Sequence, residues 1–282
     1  MSESANARGA VTRRGLLLGG VGLGVAAGAG AVGWTSLPQR CKVRLGVESA
    51  EDAFIPAAAE GQVRLETVRS AARGGKDVQL FTAVPAGHGD GAGLPVVVVL
   101  HGASATAADF QEIGLGHFLT AAVQAGAPPF VLAGADGGVL RWEPDPTSDD
   151  DPQAMVVDEV PGWLTERGFD ASRRALWGWS MGGYGVLRVA ELYPAWCNAV
   201  AVFSPAIGAG DSVFTDEDRL GELPLGLWCG TDDGFYPAVS DFVEALPTPP
   251  QVASFTAGAH TRTFWNDHTL EAFGYLSSHL DD

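Results

Sequence analysis

A serine lies among closely spaced glycines in residues 177–185, which read WGWSMGGYG. A serine hydroxyl can attack an ester carbonyl when a neighbouring histidine takes its proton and a carboxylate orients that histidine. Gly178, Ser180 and Gly182 match the pattern G-x-S-x-G, in which a tight turn between a strand and a helix exposes the serine. The pattern predicts Ser180 as a nucleophile, and the alternative is an incidental serine in a flexible turn.

The base that such a serine needs must come from one of six histidines. His260 follows the last apolar run of the chain and precedes its last helical stretch. In hydrolases with the G-x-S-x-G pattern the order along the chain is serine, acid, histidine, which places the base at this position. We therefore predict His260 as the base, and the alternative is a loop histidine bonded only to backbone groups.

Two adjacent acids, Asp232 and Asp233, follow the apolar run that ends at Cys229. A carboxylate on the second ring nitrogen of the base fixes its tautomer and stabilises the imidazolium. Adjacent residues that leave a strand point in different directions, so only one of the two can do this. The residues by themselves leave the choice between them open.

Backbone N–H groups are expected to bind the negative oxygen that forms during attack. One comes from the residue after the nucleophile, Met181, and the other from the loop after an earlier strand. In that loop we favour Ala103, with Gly102 as the second choice. The side chains that we predict to line the substrate pocket are His101, Trp142, Trp179 and Trp265, and for the tryptophans packing at the edge of the sheet is the alternative.

Alternating and continuous apolar runs predict the elements that position these residues. Alternating runs at 62–70 and 77–84 indicate an antiparallel hairpin. Continuous apolar runs, typical of strands covered on both faces, occupy 95–100, 130–134, 174–179, 199–203, 225–229 and 251–255. Helical spacing occurs at 116–126, 153–167, 182–193, 236–246 and 264–280.

Strands alternating with helices predict one α/β domain, a doubly wound and mostly parallel sheet with an antiparallel N-terminal hairpin. In such sheets ligands bind beyond the carboxyl ends of the strands, which is where the candidate serine, acid and histidine stand. The connection at 204–223 is short, so we expect no large lid domain.

The motif-bearing stretches resemble the "putative esterase" group of the α/β-hydrolase superfamily, which includes esterase D (S-formylglutathione hydrolase), feruloyl esterases and mycobacterial mycolyltransferases. They are residues 98–102, 136–138, 178–185, 230–233 and 258–260 with Trp265 behind them, and they span about residues 95–270. The resemblance implies the α/β-hydrolase fold and no metal or organic cofactor. It also implies a triad of Ser180, Asp233 and His260, because the group's acid usually stands three residues after the strand-ending glycine. It implies an oxyanion hole at Ala103 and Met181.

The expected activity is that of a serine esterase acting on a small-molecule, lipid or carbohydrate ester through an acyl-enzyme on Ser180. An acyltransferase that passes the acyl group to a sugar or alcohol is one alternative, because the mycolyltransferases belong to the same group. A non-catalytic binding protein of the cell envelope is an alternative from another class.

The first forty residues have the layout of an export signal. Arg8, Arg13 and Arg14 precede an apolar run at 16–32 that carries no charge. The paired arginines resemble the twin-arginine motif. We predict residues 1–40 as a twin-arginine-type signal or an uncleaved membrane anchor, 41–282 as a single catalytic domain, and a secreted or envelope-associated protein.

Composition narrows the range of partners. The formal net charge is -17, and an acidic surface is repelled by nucleic acid and by anionic lipid, so neither is an expected partner. The three cysteines, Cys41, Cys197 and Cys229, lack metal-type spacing. Cys197 and Cys229 are expected at opposite edges of the sheet, too far apart to bond, and therefore reduced and at least partly buried.

The stretch 141–151 is unusually acidic for a loop near the expected site. Charge runs are most often solvated surface. The alternative for this loop is a bound cation such as Ca²⁺, because carboxylate oxygens are its preferred ligands.

Overall fold

The computed structural model describes residues 53–280, which fold around one eight-stranded sheet. The strand order is β1-β2-β4-β3-β5-β6-β7-β8. The strands are β1 (Gln62–Ser70), β2 (Lys76–Val84), β3 (Pro95–Leu100), β4 (Val131–Ala135), β5 (Asp170–Trp179), β6 (Val200–Phe203), β7 (Leu225–Gly230) and β8 (Val252–Thr256).

The first two strands form the predicted antiparallel hairpin, with Gln62 opposite Val84 and Ser70 opposite Lys76. β2 also pairs antiparallel with β4, and every pair from β4 to β8 is parallel. The carboxyl ends of β3 to β8 therefore meet at one edge of the sheet, which we call the carboxyl edge; their starts form the amino edge.

Helices cover both faces of the sheet. The α-helices are α1 (Asp109–Glu112), α2 (Leu115–Gln124), α3 (Pro152–Ala154), α4 (Val160–Glu166), α5 (Met181–Leu192), α6 (Tyr236–Ala245) and α7 (Arg262–Ser278). A π-helical turn, Met155–Glu159, joins α3 to α4, and 3₁₀ segments lie at Ser212–Phe214 and Glu217–Leu220.

The central strands are apolar throughout because both of their faces are covered. All six residues of β3 are buried. Val96 and Val98 belong to the core on one side of the sheet, and Val97 and Val99 to the core on the other. Successive side chains of a strand point to opposite faces, so a strand between two helical layers needs apolar residues at every position.

The predicted helix at 153–167 is interrupted, and a proline explains the interruption. Pro161 lacks an N–H group, so it cannot donate to the carbonyl of Val157 as an α-helix requires. The indole N–H of Trp196 donates to that carbonyl instead, at 3.0 Å. The chain passes through the π-helical turn before α4 begins.

The other differences from the predicted elements are short. β5 begins at Asp170 rather than at residue 174, because its first residues are polar and hid the start of the strand. The four-residue helix α1 and the two 3₁₀ segments are too short to show a helical period in the sequence. The connection from β6 to β7 forms no separate domain.

Cys197 and Cys229 are both free and buried, as predicted. Burial raises the pKa of each thiol to about 12, so both stay protonated. Cys41 and the predicted export signal lie outside the described residues. Within residues 53–280, no helix is both long and apolar enough to cross a lipid bilayer.

Candidate active site

The turn that carries Ser180 is strained and tightly packed. Ser180 follows β5 and precedes α5 with φ 55° and ψ −122°, a backbone conformation that residues other than glycine rarely adopt. A Cβ atom at Gly178 would lie 2.7 Å from the carbonyl carbon of Gly182. One at Gly182 would lie 1.9 Å from the carbonyl oxygen of Leu100. The glycines therefore let the turn pass against β3, and the flexible-turn alternative does not fit.

The structure brings together the serine and the histidine that the sequence singled out and the acid that the resemblance implies. Nε2 of His260 lies 2.9 Å from Oγ of Ser180, and its Nδ1 lies 2.8 Å from Oδ2 of Asp233. His260 follows β8 and Asp233 follows β7, so all three reach the site from the carboxyl edge. The geometry allows His260 to take the serine proton while Asp233 receives the other N–H of the ring.

Asp233, rather than Asp232, faces the histidine. The Asp233 side chain is fully buried, whereas Asp232 is exposed and its N–H donates to the carbonyl of Gly258. Burial acts to raise the pKa of Asp233. The hydrogen bond and charge of His260, with the N–H of Phe235 at 2.9 Å, outweigh burial, so the pKa lies below its usual value. Asp233 is thus ionised beside the imidazole.

Two aromatic rings hold the imidazole of His260. Trp265 lies 5.0 Å from it between ring centroids, with the planes at 88°. Phe235 lies 5.1 Å from it at 61°. Trp265 is among the predicted pocket residues, and it contacts His260. Phe235 was not predicted, because its position two residues after Asp233 carries no distinctive sequence signal.

The backbone N–H groups that we predict to bind the oxyanion lie at the start of α5 and in the loop after β3. Met181 is the first residue of α5, where N–H groups have no partner within the helix and the helix dipole favours negative charge. In the loop after β3, a Cβ at Gly102 would lie 2.6 Å from Nε1 of Trp179, so glycine is required there. The oxyanion roles of Ala103 and Met181 stay predictions.

The prediction that His101 contacts substrate is wrong. His101 is completely buried, its Nδ1 lies 2.9 Å from the carbonyl oxygen of Gly102, and its Nε2 accepts from the N–H of Gly137. Burial lowers its pKa, which keeps the ring neutral with the proton on Nδ1. His101 therefore ties the loop after β3 to the loop after β4.

The prediction that Trp142 lines the pocket is also wrong, because the side chain is completely buried. Its indole N–H donates to the carbonyl of His101 at 3.1 Å. The ring fills space over Gly137 and Gly185, where a Cβ would approach it to 2.4 and 2.6 Å. Trp179 is 6% exposed and packs between Phe110 and Trp177, so packing, the alternative, describes it better than pocket lining.

The acidic loop uses its carboxylates within the protein. Asp150 pairs with Arg73 and Lys76. Asp151 accepts the N–H of Ala154 and so caps α3, and Glu143 accepts the hydroxyl proton of Tyr184. No group of three or more His, Cys, Asp or Glu residues within 53–280 is arranged to hold a metal ion. These contacts give no support to the cation alternative for the loop.

Sequence reasoning missed an ion pair near Ser180. Arg141, from the loop after β4, pairs with Asp211, from the loop after β6. The two residues are seventy positions apart, and nothing in their local sequence links them. Only the fold, which sets those loops side by side at the carboxyl edge, could have revealed the pair.

Solved structures with this fold include several esterases. A ferulic acid esterase shares 18% identity and superposes with a TM-score of 0.67 over 79% of this chain and 99% of that chain. The S-formylglutathione hydrolase from Agrobacterium tumefaciens shares 15%, with a TM-score of 0.65 over 80% and 98%. The enterobactin esterase from Shigella flexneri shares 16%, with a TM-score of 0.62 over 81% and 62%. At these identities the likeness establishes the α/β-hydrolase fold.

No curated protein matches this chain. The family model described as "Putative esterase" matches residues 71–272, which span the sheet from the end of β1 to α7. This matched range contains Ser180, Asp233 and His260 at the carboxyl edge. The chain therefore belongs to this esterase family and is a carboxylic ester hydrolase with the α/β-hydrolase fold.

Proposed function

We propose that the protein is an exported serine esterase that cleaves carboxylic esters through an acyl-enzyme on Ser180. The observation that carries this proposal is the continuous hydrogen-bonded series from Oγ of Ser180 through His260 to Asp233. Family membership supports the ester as the bond that is cleaved.

In the acylation step Oγ of Ser180 attacks the ester carbonyl carbon while Nε2 of His260 takes its proton. The carbonyl oxygen becomes negative and accepts hydrogen bonds from the N–H groups of Met181 and Ala103. The tetrahedral intermediate then collapses: the bond to the alcohol oxygen breaks, His260 returns its proton to that oxygen, and the alcohol leaves.

In the deacylation step water takes the place of the alcohol. His260 removes a proton from the water, the hydroxide forms a bond to the acyl carbon, and the bond to Oγ of Ser180 breaks as Oγ regains a proton. The products are one carboxylic acid and one alcohol for each ester and water consumed. Asp233 stays ionised throughout and stabilises the imidazolium in both steps.

We propose a small-molecule, lipid or carbohydrate ester as the substrate. Phe235 and Trp265, which pack against His260, give the site apolar and aromatic surface beside the base. The structural neighbours are a ferulic acid esterase, an S-formylglutathione hydrolase and an enterobactin esterase, which differ in the ester that each acts on.

The export part of the proposal rests on the N-terminal residues. The arginine pair Arg13 and Arg14 before the uncharged run 16–32 supports transport by a twin-arginine route. Replacing both arginines with lysine is expected to leave the protein inside the producing cell, and cell fractionation measures this. Unchanged export of the lysine variant would contradict the route.

A fluorophosphonate probe tests the nucleophile, because it forms a covalent bond with an activated serine. The wild type and the control Ser278→Ala, whose serine lies exposed near the end of α7, should be labelled at equal rates. Ser180→Ala should not be labelled and should not hydrolyse p-nitrophenyl acetate. Labelling of Ser180→Ala at the wild-type rate would overturn the proposal.

A further inference from the structure

The loops after β4 and β6 are joined by a clamp that consists of Arg141, Asp211 and Ala206. Both terminal nitrogens of Arg141 donate to the Asp211 carboxylate at 3.0 Å, in the two-bonded geometry that fixes a guanidinium most firmly. One of them also donates to the carbonyl oxygen of Ala206 at 3.0 Å. Asp211 is itself held in the loop after β6, because it accepts the N–H of Gly208.

The guanidinium of Arg141 is held on a third side by the helix that follows the nucleophile. It lies 3.9 Å above the ring of Tyr184, a residue of α5. Burial acts to lower the pKa of Arg141, but the carboxylate of Asp211 more than offsets this and raises it, so the group keeps its charge. The clamp therefore links the loops after β4 and β6 to each other and to α5.

The backbone at the base of the clamp is strained. Arg141 and Trp142 have φ of 55° and 62°, in the left-handed region that costs a residue with a side chain about 1–2 kcal/mol. Trp142 is completely buried and Arg141 makes four contacts of the kinds described above, so the surrounding packing maintains this conformation. Strain of this sort collects at functional sites.

The clamp connects to Ser180 through a single residue, Ala206. The N–H of Ala206 donates to the carbonyl oxygen of Ser180 at 2.9 Å, and the carbonyl of the same residue accepts from Arg141. The N–H of Ser180 donates to the carbonyl oxygen of Phe203 at 2.9 Å. The strained turn is thus held on both backbone groups by the end of β6 and its loop, and Arg141 fixes that loop.

We propose that Arg141 is a positioning residue for the nucleophile, acting through Ala206 and with Asp211 as its anchor. The inference rests on the proposed function of Ser180. A nucleophile displaced by about 1 Å can lose about 100-fold in rate, so a residue that fixes its backbone controls catalysis without touching substrate. Loosening the clamp should slow attack by Ser180 and leave substrate affinity unchanged.

The chain offers a matched control at the amino edge. Arg173 donates to Asp170 at 2.7 Å and to the carbonyl oxygen of Gly93 at 3.1 Å. The arginine and aspartate side chains are 37% and 31% exposed, against 31% and 23% for Arg141 and Asp211. Arg173→Ala therefore removes the same kind of pair from a place far from the triad.

The test compares Arg141→Ala, Arg141→Lys and Arg173→Ala by kcat and KM for p-nitrophenyl acetate and by the rate of fluorophosphonate labelling. The assay temperature is set below the melting temperature of every variant, so that each variant is folded during the measurement. Arg141→Ala should lower kcat/KM, which reports acylation, and the labelling rate about tenfold or more. Arg141→Lys should recover part of the loss, and Arg173→Ala should match the wild type in both rates.

Equal rates for Arg141→Ala and Arg173→Ala would overturn the inference, and so would a wild-type rate of fluorophosphonate labelling in Arg141→Ala. Where Arg141→Ala does not fold, Asp211→Asn decides by the same measurements: a lower labelling rate and kcat/KM support the inference, and wild-type values of both overturn it. A wild type that is not labelled at Ser180 overturns the proposed function itself, whereas a labelled wild type with unaffected Arg141 variants overturns only the role of Arg141.

Discussion

The two edges of the sheet differ in which residues have positive φ. Among the described residues, five that are not glycine have positive φ, and all five follow strands at the carboxyl edge. They are Ser104, Arg141, Trp142, Ser180 and Ser204. Before β3, β5 and β7, at the amino edge, the positive φ falls on glycine: Gly93, Gly168 and Gly221. Strain of about 1–3 kcal/mol per residue is thus kept where the triad lies, and glycine avoids it elsewhere.

The two arginine–aspartate pairs show the same contrast. Arg173 and Asp170 are three residues apart, and their pair spans the first residues of β5, where its pairing with β3 shifts register. Arg141 and Asp211 come from separate loops and meet only because β4 and β6 end at the same edge. Identical chemistry gives local support at one edge and connects separate parts of the chain at the other.

The largest effect expected at the carboxyl edge follows from replacing Asp233, the acid of the proposed triad. Asp233→Asn should lower kcat for p-nitrophenyl acetate by about 10⁴-fold, because the amide stabilises the wrong histidine tautomer. Asp232→Asn, one residue away and exposed, should stay within twofold of the wild type. A comparable loss in both variants would remove the distinction between the two acids.

The next largest effect concerns the close approach between the turn that carries Ser180 and the end of β3. Gly182→Ala places a Cβ 1.9 Å from the carbonyl oxygen of Leu100. It should lower the free energy of unfolding by at least about 3 kcal/mol and the melting temperature by about 10 °C.

The control for this close approach is Gly162→Ala, on the exposed side of α4. Its new Cβ has no neighbouring atom within 4 Å. Alanine should stabilise that helix by about 0.5–1 kcal/mol. A melting temperature of Gly182→Ala at or above that of the wild type would refute the packing that the turn requires.

A buried acid in the last turn of α5 should affect stability without affecting catalysis. Glu191 on α5 shares Arg188 with Asp216 and, at 3.8 Å, with Glu143. Burial raises the pKa of Glu191 to about 8 from 4.5, so the folded state keeps a proton that the unfolded state loses. The contribution of Glu191 to the free energy of unfolding is therefore largest below about pH 4.5 and declines as pH rises to about 8.

Glu191→Gln removes that decline. The melting temperature of the wild type should fall more steeply from pH 5 to pH 8 than that of the variant, by an amount worth a few kcal/mol to order of magnitude. The kcat for p-nitrophenyl acetate should stay within twofold, since Glu191 touches no triad residue. Parallel melting curves over this pH range would show that Glu191 is already ionised in the folded protein.

The smallest effect is expected at the amino edge. Gly168, with φ of 87°, turns the chain into β5, and Gly168→Ala should cost about 1–2 kcal/mol of stability in urea denaturation. Gly168→Asn should cost less, because asparagine tolerates this conformation better. Neither change should alter kcat, and a loss of kcat in a fully folded variant would break the contrast between the edges.

Most of the fold was predictable because its signals are local. Continuous apolar runs identified β3 to β8, and alternation identified the hairpin of β1 and β2, since a strand's pattern reports which faces are covered. The π-helical turn, α1 and the 3₁₀ segments were not predicted, because three to five residues are too few to show a period. The start of β5 was missed because its first residues are polar.

The candidate site was predictable for residues that directly follow a strand, because the end of the strand brings them to the carboxyl edge. Ser180 and His260 were singled out in this way, and the structure sets them 2.9 Å apart. His101 and Trp142 follow strands in the same way, yet both are buried, since a position at the edge does not say whether a side chain points outward or into the packing.

The sequence by itself determined the sheet, the order of its chemistry-bearing residues and the glycines that let the nucleophile turn pass beside β3, because these depend on local pattern and on the fixed geometry of parallel strands. Only the tertiary structure decided which of two adjacent acids faces His260 and which aromatic rings hold it. It also decided that Arg141 reaches Asp211 across seventy residues. These contacts depend on side-chain direction and on which loops the fold brings together, and neither is written in any local stretch of the chain.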